Sequence, residues 1–243
     1  MCVTCKQGRA ALLLACLASV AGCAAVGSVQ MSDTVGKGNL QVGLEPGLQA
    51  RATGRVDVYP HFDAALRYGV SDTVDLGARL GMSMVEFQSK FLLTAQGNPS
   101  LAISLAPAVA ATHQGFNLLF AQGQSTASAG DIVLNVALPL LVGVKLKGGS
   151  EVVLGPRLQN FFLLPAQGGS SPGALPFAYV LGVGGTLGFA ARLSDNFVLL
   201  PEFGLVYPVF NSAGHSIPAA TLGALGGQLS AQFKLGILLG RIR

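Results

Sequence analysis

The sequence predicts an all-β fold, an antiparallel up-and-down transmembrane β-barrel of about ten strands. Three observations carry this: period-two alternation of apolar and polar residues, a composition too apolar for a soluble surface, and frequent Gly and Pro. The alternation is clearest from Val56 to Val70. There Val56, Val58, Pro60, Phe62, Ala64, Leu66, Tyr68 and Val70 take every second position, and Asp57, His61, Asp63 and Arg67 fall between them. A period of two sends the two sets to opposite faces of a strand, whereas a helix would mix them around its circumference.

The pattern resumes after the turn signal Ser71-Asp72-Thr73. Val74, Leu76, Ala78, Leu80 and Met82 take one face, and Asp75, Gly77, Arg79 and Gly81 the other, so the two segments read as a hairpin. Near the C-terminus Leu225, Leu229, Ala231, Phe233, Leu235, Ile237 and Leu239 alternate in the same way with Gln228, Ser230, Gln232 and Lys234.

Of the 243 residues, 51% are apolar and 11% charged, and the mean hydropathy is +0.56, so the outer face is expected to meet lipid. The 33 Gly and 12 Pro would break membrane helices repeatedly. The best helical candidate, Ile132 to Val144, is short for a span and contains Pro139.

Strands are predicted at Leu40–Ala50, Val56–Val70, Val74–Met82, Met84–Leu93, Leu101–Thr112, Ile132–Leu146, Val152–Leu164, Phe177–Leu193, Phe197–Val209 and Leu225–Leu239. Their connections alternate in length. Those near Ser71-Asp72, Gly97-Asn98, Gly148-Gly149 and Ser194-Asp195 are short, and those over Gly115–Gly130, Ala166–Gly173 and Asn211–Ala224 are long. The tight connection near Ser83 departs from this alternation.

Spread over most of the chain, this pattern resembles small bacterial outer-membrane β-barrels, in which short turns face the periplasm and long loops face outward. The resemblance implies an outer-membrane location. An even strand number would return both ends of the barrel to the periplasmic side. The chain departs from such barrels in having no Trp and four Tyr, which leaves the interfacial girdle to Phe, and in ending without an aromatic residue.

The first residues read as a targeting segment. Lys6 and Arg9 precede an apolar run from Ala10 to Val20, then Ala21 and Gly22 lead into Cys23. The sequence Val20-Ala21-Gly22-Cys23 resembles the lipobox of bacterial lipoprotein signal peptides, and that resemblance implies cleavage before Cys23 and acylation of its thiol. The expected organisation is a lipoprotein signal peptide over 1–22, a lipidated N-terminus and tether over 23–38, and the barrel over 39–243. Ala24 and Ala25, where enterobacterial inner-membrane retention favours Asp, point to outer-membrane delivery, with the anchor on the periplasmic side.

All four cysteines, Cys2, Cys5, Cys16 and Cys23, lie in or at the end of the leader, so the mature domain has no thiol pair for a disulfide or a metal site. His61, His113 and His215 are far apart and share no metal-ligand spacing. No cofactor is expected. His113 and His215 with Ser125 and Asp131 outline at most a rim hydrolase, without a nucleophile motif. Gly182, Gly184, Gly185 and Gly188 lack both G-x-G-x-x-G and a P-loop lysine.

Removing Lys6 and Arg9 with the leader brings the formal charge from +4 to +2. The remaining cations are scattered singly, which excludes nucleic acid as a partner. Membrane lipid is the expected partner of a monomer.

The period-two assignment points Asp57, Asp63, Asp75, Glu86, Glu151 and Glu202 into the lumen, with Arg67, Arg79, Lys90, Arg157, Arg192 and Lys234. Opposite charges on neighbouring strands can pair there, so the expectation is a cross-linked core without a wide open pore. The resulting reading is a non-enzymatic, lipid-anchored barrel with a structural or interaction role. A narrow pore or carrier and a membrane-embedded hydrolase are the alternatives.

Overall fold

A computed structural model describes residues 27, 29–52, 56–81, 84–95, 98–113, 132–164, 178–212 and 229–240. Twelve strand segments run in order: β1 (Leu40–Ala52), β2 (Val56–Gly69), β3 (Val74–Gly81), β4 (Met84–Leu92), β5 (Leu101–Leu105), β6 (Ala108–His113), β7 (Ile132–Lys145), β8 (Glu151–Leu154), β9 (Arg157–Leu164), β10 (Ala178–Ser194), β11 (Phe197–Asn211) and β12 (Ser230–Gly240). All pairings are antiparallel. Because β12 pairs with both β11 and β1, the sheet closes on itself.

The segments amount to ten strands. β5 and β6 both lie between β4 and β7, and β8 and β9 both lie between β7 and β10, so each pair is one strand with a break. The breaks fall at Ala106-Pro107 and Gly155-Pro156, and sequence alternation alone reads through both. Proline has no N–H for the ladder. Pairing nevertheless continues past each break, through Ala106 N to Pro139 O (3.0 Å) and Leu140 N to Pro156 O (2.9 Å).

The connections sort onto two rims. One rim holds the start of β1, the end of β12 and the β2–β3, β4–β5, β7–β8 and β10–β11 turns. We call it the short-turn rim. At the β7–β8 turn the backbone goes left-handed at Gly148 (φ 82°) and Gly149 (φ 81°), a conformation that side chains disfavour. The opposite rim takes the connections over 114–131, 165–177 and 213–228, and also two short ones, 53–55 and 82–83.

The pleat divides the wall as the alternation requires. Facing outward are Val58, Phe62, Leu66, Leu76, Leu80, Phe87, Leu187, Phe203, Phe233 and Leu239, all exposed. An apolar surface of this extent around a whole barrel is stable only against lipid or another apolar cover. Phe162, Tyr179 and Phe210 stack successively at 5.2 and 6.0 Å, toward the long-connection ends of β9, β10 and β11.

The inside is polar and filled. The stretch expected to be a tether does not stand apart from the barrel: Val29, Gln30, Met31, Ser32, Thr34 and Val35 are all buried within it. Residues 29–36 belong to the core of the barrel, and the chain leaves the lumen only at Lys37 and Gly38 before turning back into β1.

Candidate functional site: a filled lumen

The centre of the lumen follows from strand register. Glu45 on β1 lies directly opposite Asp63 on β2, which would set two buried carboxylates side by side. Cations from both flanks relieve the repulsion. From β12, Lys234 Nζ reaches Glu45 Oε2 (2.9 Å) and Asp63 Oδ2 (2.7 Å). From β3, Arg79 Nη1 lies 3.2 Å from Glu45 Oε2 and 3.5 Å from Asp63 Oδ2, while its Nη2 donates to Glu86 Oε2 at 2.6 Å. Gly47 faces Lys234 across the β1–β12 ladder. A Cβ there would overlap the Phe233 carbonyl oxygen and press on Lys234 Cγ at 3.0 Å, so glycine lets β12 and the stem of the lysine come close.

The network continues along β2 and β4. Gln88 Nε2 donates to Glu86 Oε1 (3.2 Å), and Gln88 Oε1 accepts from Arg67 Nη2 (2.7 Å). Next along the wall Lys90 pairs with Asp75 at 3.3 Å, its opposite number on β3. His61 Nε2 contacts Asp63 Oδ2 at 2.7 Å. Among the described residues six carboxylates and five Lys or Arg cations are buried, so the interior is close to neutral.

Gly27 and residues 29–36 run through this network, and the wall bonds their backbone at several points. Gly27 O accepts from Arg79 Nη1 (2.7 Å) and Lys234 Nζ (3.2 Å), and Gly27 N donates to Gln232 Oε1 (2.8 Å). Gln30 Nε2 donates to Gln88 Oε1 at 2.6 Å. Ser32 gives its amide to Glu151 Oε1 (2.8 Å) and its hydroxyl to Glu151 Oε2 (3.1 Å), and its carbonyl accepts from Ser104 Oγ. Lys90 Nζ donates to Met31 O (3.2 Å) and to Asp33 O; Lys145 pairs with the Asp33 carboxylate. Val35 N donates to Asp75 Oδ2 at 3.0 Å, and Thr34 Oγ1 to Asp72 O at 2.6 Å. A buried segment outside the sheet needs such side-chain partners, since an unpaired buried backbone group costs about 1–3 kcal/mol.

Shape completes the fit. Val29 and Met31 pack on Ala190, Val198, Leu200 and Leu238. A methyl group added at Gly143 would overlap Ser32 Oγ, one at Gly236 would overlap Val29, and one at Gly69 would overlap the Gly36 carbonyl. These glycines are places where the wall comes within backbone distance of the inner segment.

Of the residues expected in the lumen, Asp63, Arg67, Asp75, Arg79, Glu86, Lys90, Glu151, Arg157, Glu202 and Lys234 are buried inside it. Arg192 keeps the inward parity but lies at the short-turn rim, where it pairs with Asp195 at 3.0 Å, apart from the central network. The side chain of Asp57 and the lipidation candidate Cys23 lie outside the described residues, as do Ser125, Asp131, His215 and the His113 side chain. Sequence reading missed Glu45, the carboxylate both central cations share. Its signal was present in the alternation of Gln41, Glu45 and Gln49 with Val42, Leu44 and Leu48. Among the described residues no group of three or more His, Cys, Asp or Glu side chains is placed to hold a metal.

No protein-family model and no curated protein sequence matches the chain. Solved structures with a similar fold include Neisserial surface protein A (10% identity, 83% of this chain and 95% of that one, TM-score 0.41). The attachment invasion locus protein Ail of Yersinia pestis aligns at 8% identity over 84% of this chain and 99% of its own, with a TM-score of 0.33. The translocator domain of the autotransporter NalP from Neisseria meningitidis aligns at 12% identity over 96% and 94%, with a TM-score of 0.42.

Proposed function

We propose that the protein is a closed outer-membrane β-barrel, anchored by acylation of Cys23, with a structural or interaction role and no open pore. The observation that carries this is the segment 29–36, buried in the lumen and bonded to side chains from β3, β4, β5 and β8. It fills the path along which a solute would move, and Arg79, Lys90 and Lys234 around it are engaged in cross-strand pairs with carboxylates. The apolar exterior supports the membrane setting. The lipobox resemblance over Val20–Cys23 supports the anchor.

Planar-bilayer recording tests the closed state. Wild-type protein is expected to give no stable conductance, and deletion of residues 24–36 is expected to create one. A stable, porin-sized conductance from the wild type would favour the narrow-pore alternative instead. Acylation is tested by radiolabelled palmitate incorporation, which should vanish in Cys23→Ser.

A further inference from the structure

We propose that the lumen is a binding site for an extended peptide, occupied in cis by residues 29–36 and able to take a free peptide of the same pattern in trans. This rests on the closed-barrel reading above, and adds that the occupant is held by bonds that do not require it to be continuous with the wall.

The wall is complete without the segment. Its seam is the antiparallel pairing of β1 with β12, from Gln41 opposite Gly240 to Arg51 opposite Ser230, and residues 29–36 belong to none of the described strands. The central ionic cluster is likewise made within the wall. Lys234 and Arg79 bridge Glu45 and Asp63, Arg79 also holds Glu86, and Lys90 holds Asp75. Withdrawal of the segment leaves those pairs in place. It strips Glu151 of its bonds to the Ser32 amide and hydroxyl, and Ser104 of its bond to the Ser32 carbonyl.

The grip of the wall is on main chain. Lys90 donates to the carbonyls of Met31 and Asp33, Ser104 donates to the carbonyl of Ser32, and the carboxylates of Glu151 and Asp75 accept the amides of Ser32 and Val35. Side chains of β3, β4, β5 and β8 thus present to the segment the donors and acceptors that a neighbouring strand would. Bonds of this kind are open to any extended peptide; where a peptide adds to a sheet, main-chain bonds give the affinity and side-chain pockets give the specificity.

Side-chain contacts define which peptide fits. Val29 and Met31 lie on an apolar floor of Ala190, Val198, Leu200 and Leu238. Ser32 abuts Gly143, so its position takes a small residue, and Asp33 pairs with Lys145, so the next takes a carboxylate. Gln30 bonds Gln88, and the Thr34 hydroxyl bonds the Asp72 carbonyl. From Val29 to Thr34 the pattern is apolar, polar, apolar, small, acidic, hydroxyl. Gly27 is bonded to Lys234 inside the barrel, whereas Gly36 lies against Gly69 at the short-turn rim and Lys37 is exposed there. A competing peptide that enters from this rim therefore goes in amino end first.

The test is planar-bilayer recording of the full-length Ser32→Trp variant, with a synthetic peptide of the wild-type sequence 27–36 as the probe. Gly143 leaves no room for an indole, so the segment is expected to leave the lumen and a conductance to appear that the wild type lacks. The peptide, added on the short-turn side, is expected to abolish that conductance reversibly and with saturation. The same peptide carrying Ser32→Trp should block about tenfold less well, the scale of an overpacked contact. The chain has no other Trp, so the emission of the indole reports separately whether the segment is buried or released. A Ser32→Trp barrel that stays closed while its heat-dependent gel migration shows it folded would overturn the proposal. So would a conductance that the peptide leaves unchanged, or equal block by both peptides. If Ser32→Trp does not fold, Asp33→Lys, which sets a like charge against Lys145, undergoes the same comparison with the same outcomes. A porin-sized conductance from the wild type, before any peptide is added, would sink the closed-barrel reading and the proposal with it.

Discussion

The two walls of the lumen solve different problems. β1 to β4 and β12 carry Glu45, Asp63, Arg67, Asp75, Arg79, Glu86, Lys90 and Lys234, long charged side chains that reach across the lumen. β5, β6, β7 and β10 contribute no buried charge among the described residues. Their inward positions include Ala102, Ala106, Ala108, Ala110, Ala137, Gly143 and Ala190. The charged wall, with Ser104 on β5 and Glu151 on β8, supplies hydrogen bonds to the backbone of Gly27 and residues 29–36, and the small wall supplies most of the volume. Neither alone would hold a segment outside the sheet inside a barrel, because a buried backbone needs both partners and space.

The largest effect is expected from breaking the charged wall at its centre. Lys234→Met removes a cation shared by two directly opposed carboxylates, leaving Glu45 to Arg79 and Asp63 to Arg79 and His61. Removing one partner of a buried ionic cluster costs about 3–5 kcal/mol. The loss should appear as a lower denaturant midpoint and a lower temperature for the shift in gel mobility. Adding Glu45→Gln should return a substantial part of it, since the excess negative charge goes with the carboxylate.

A smaller effect is expected from the other wall. Gly143→Val puts atoms where Ser32 Oγ lies, so the inner segment or the strand must shift, at about 1–3 kcal/mol. Gly185→Val on the lipid-facing side of β10 is the comparison. A Cβ there meets nothing closer than Gly155 O and Pro156 Cα, both at 3.6 Å, and stability should change by less than about 0.5 kcal/mol. Equal losses from the two substitutions would show that the glycines of the small wall do not act by making room.

On the small-residue side, where β8 lies between β7 and β10, Ser32→Ala removes the hydroxyl bond to Glu151 Oε2 but leaves the amide bond to Oε1, for about 1 kcal/mol by denaturant titration. Least of all is expected from the rim pair. Arg192 is partly exposed and Asp195 almost fully so, and Arg192→Ala should leave the denaturant midpoint within about 0.5 kcal/mol of the wild type.

Local pattern determined a large part of this protein. A period of two names the face of each residue without reference to any other strand, so Asp63, Arg67, Asp75 and Arg79 could be turned inward from sequence alone. Gly148-Gly149 and Ser71-Asp72 could be read as turns because turn chemistry is also local. Ten strands, their alternating connections and a near-neutral interior all follow from such signals.

Tertiary structure decided what depends on distance. Glu45 became the centre of the network because closure brings β12 beside β1, so that Lys234 meets a carboxylate 189 residues away in the chain. The breaks at Pro107 and Pro156 are tolerated because flanking residues keep their pairing with the next strand, which no single strand reveals. Residues 29–36 read as a featureless polar stretch since their partners, Ser104, Asp75, Glu151 and Lys90, lie on four separate segments of the wall. Their order comes from non-local bonds and close approach to glycine, and neither leaves a period in the sequence.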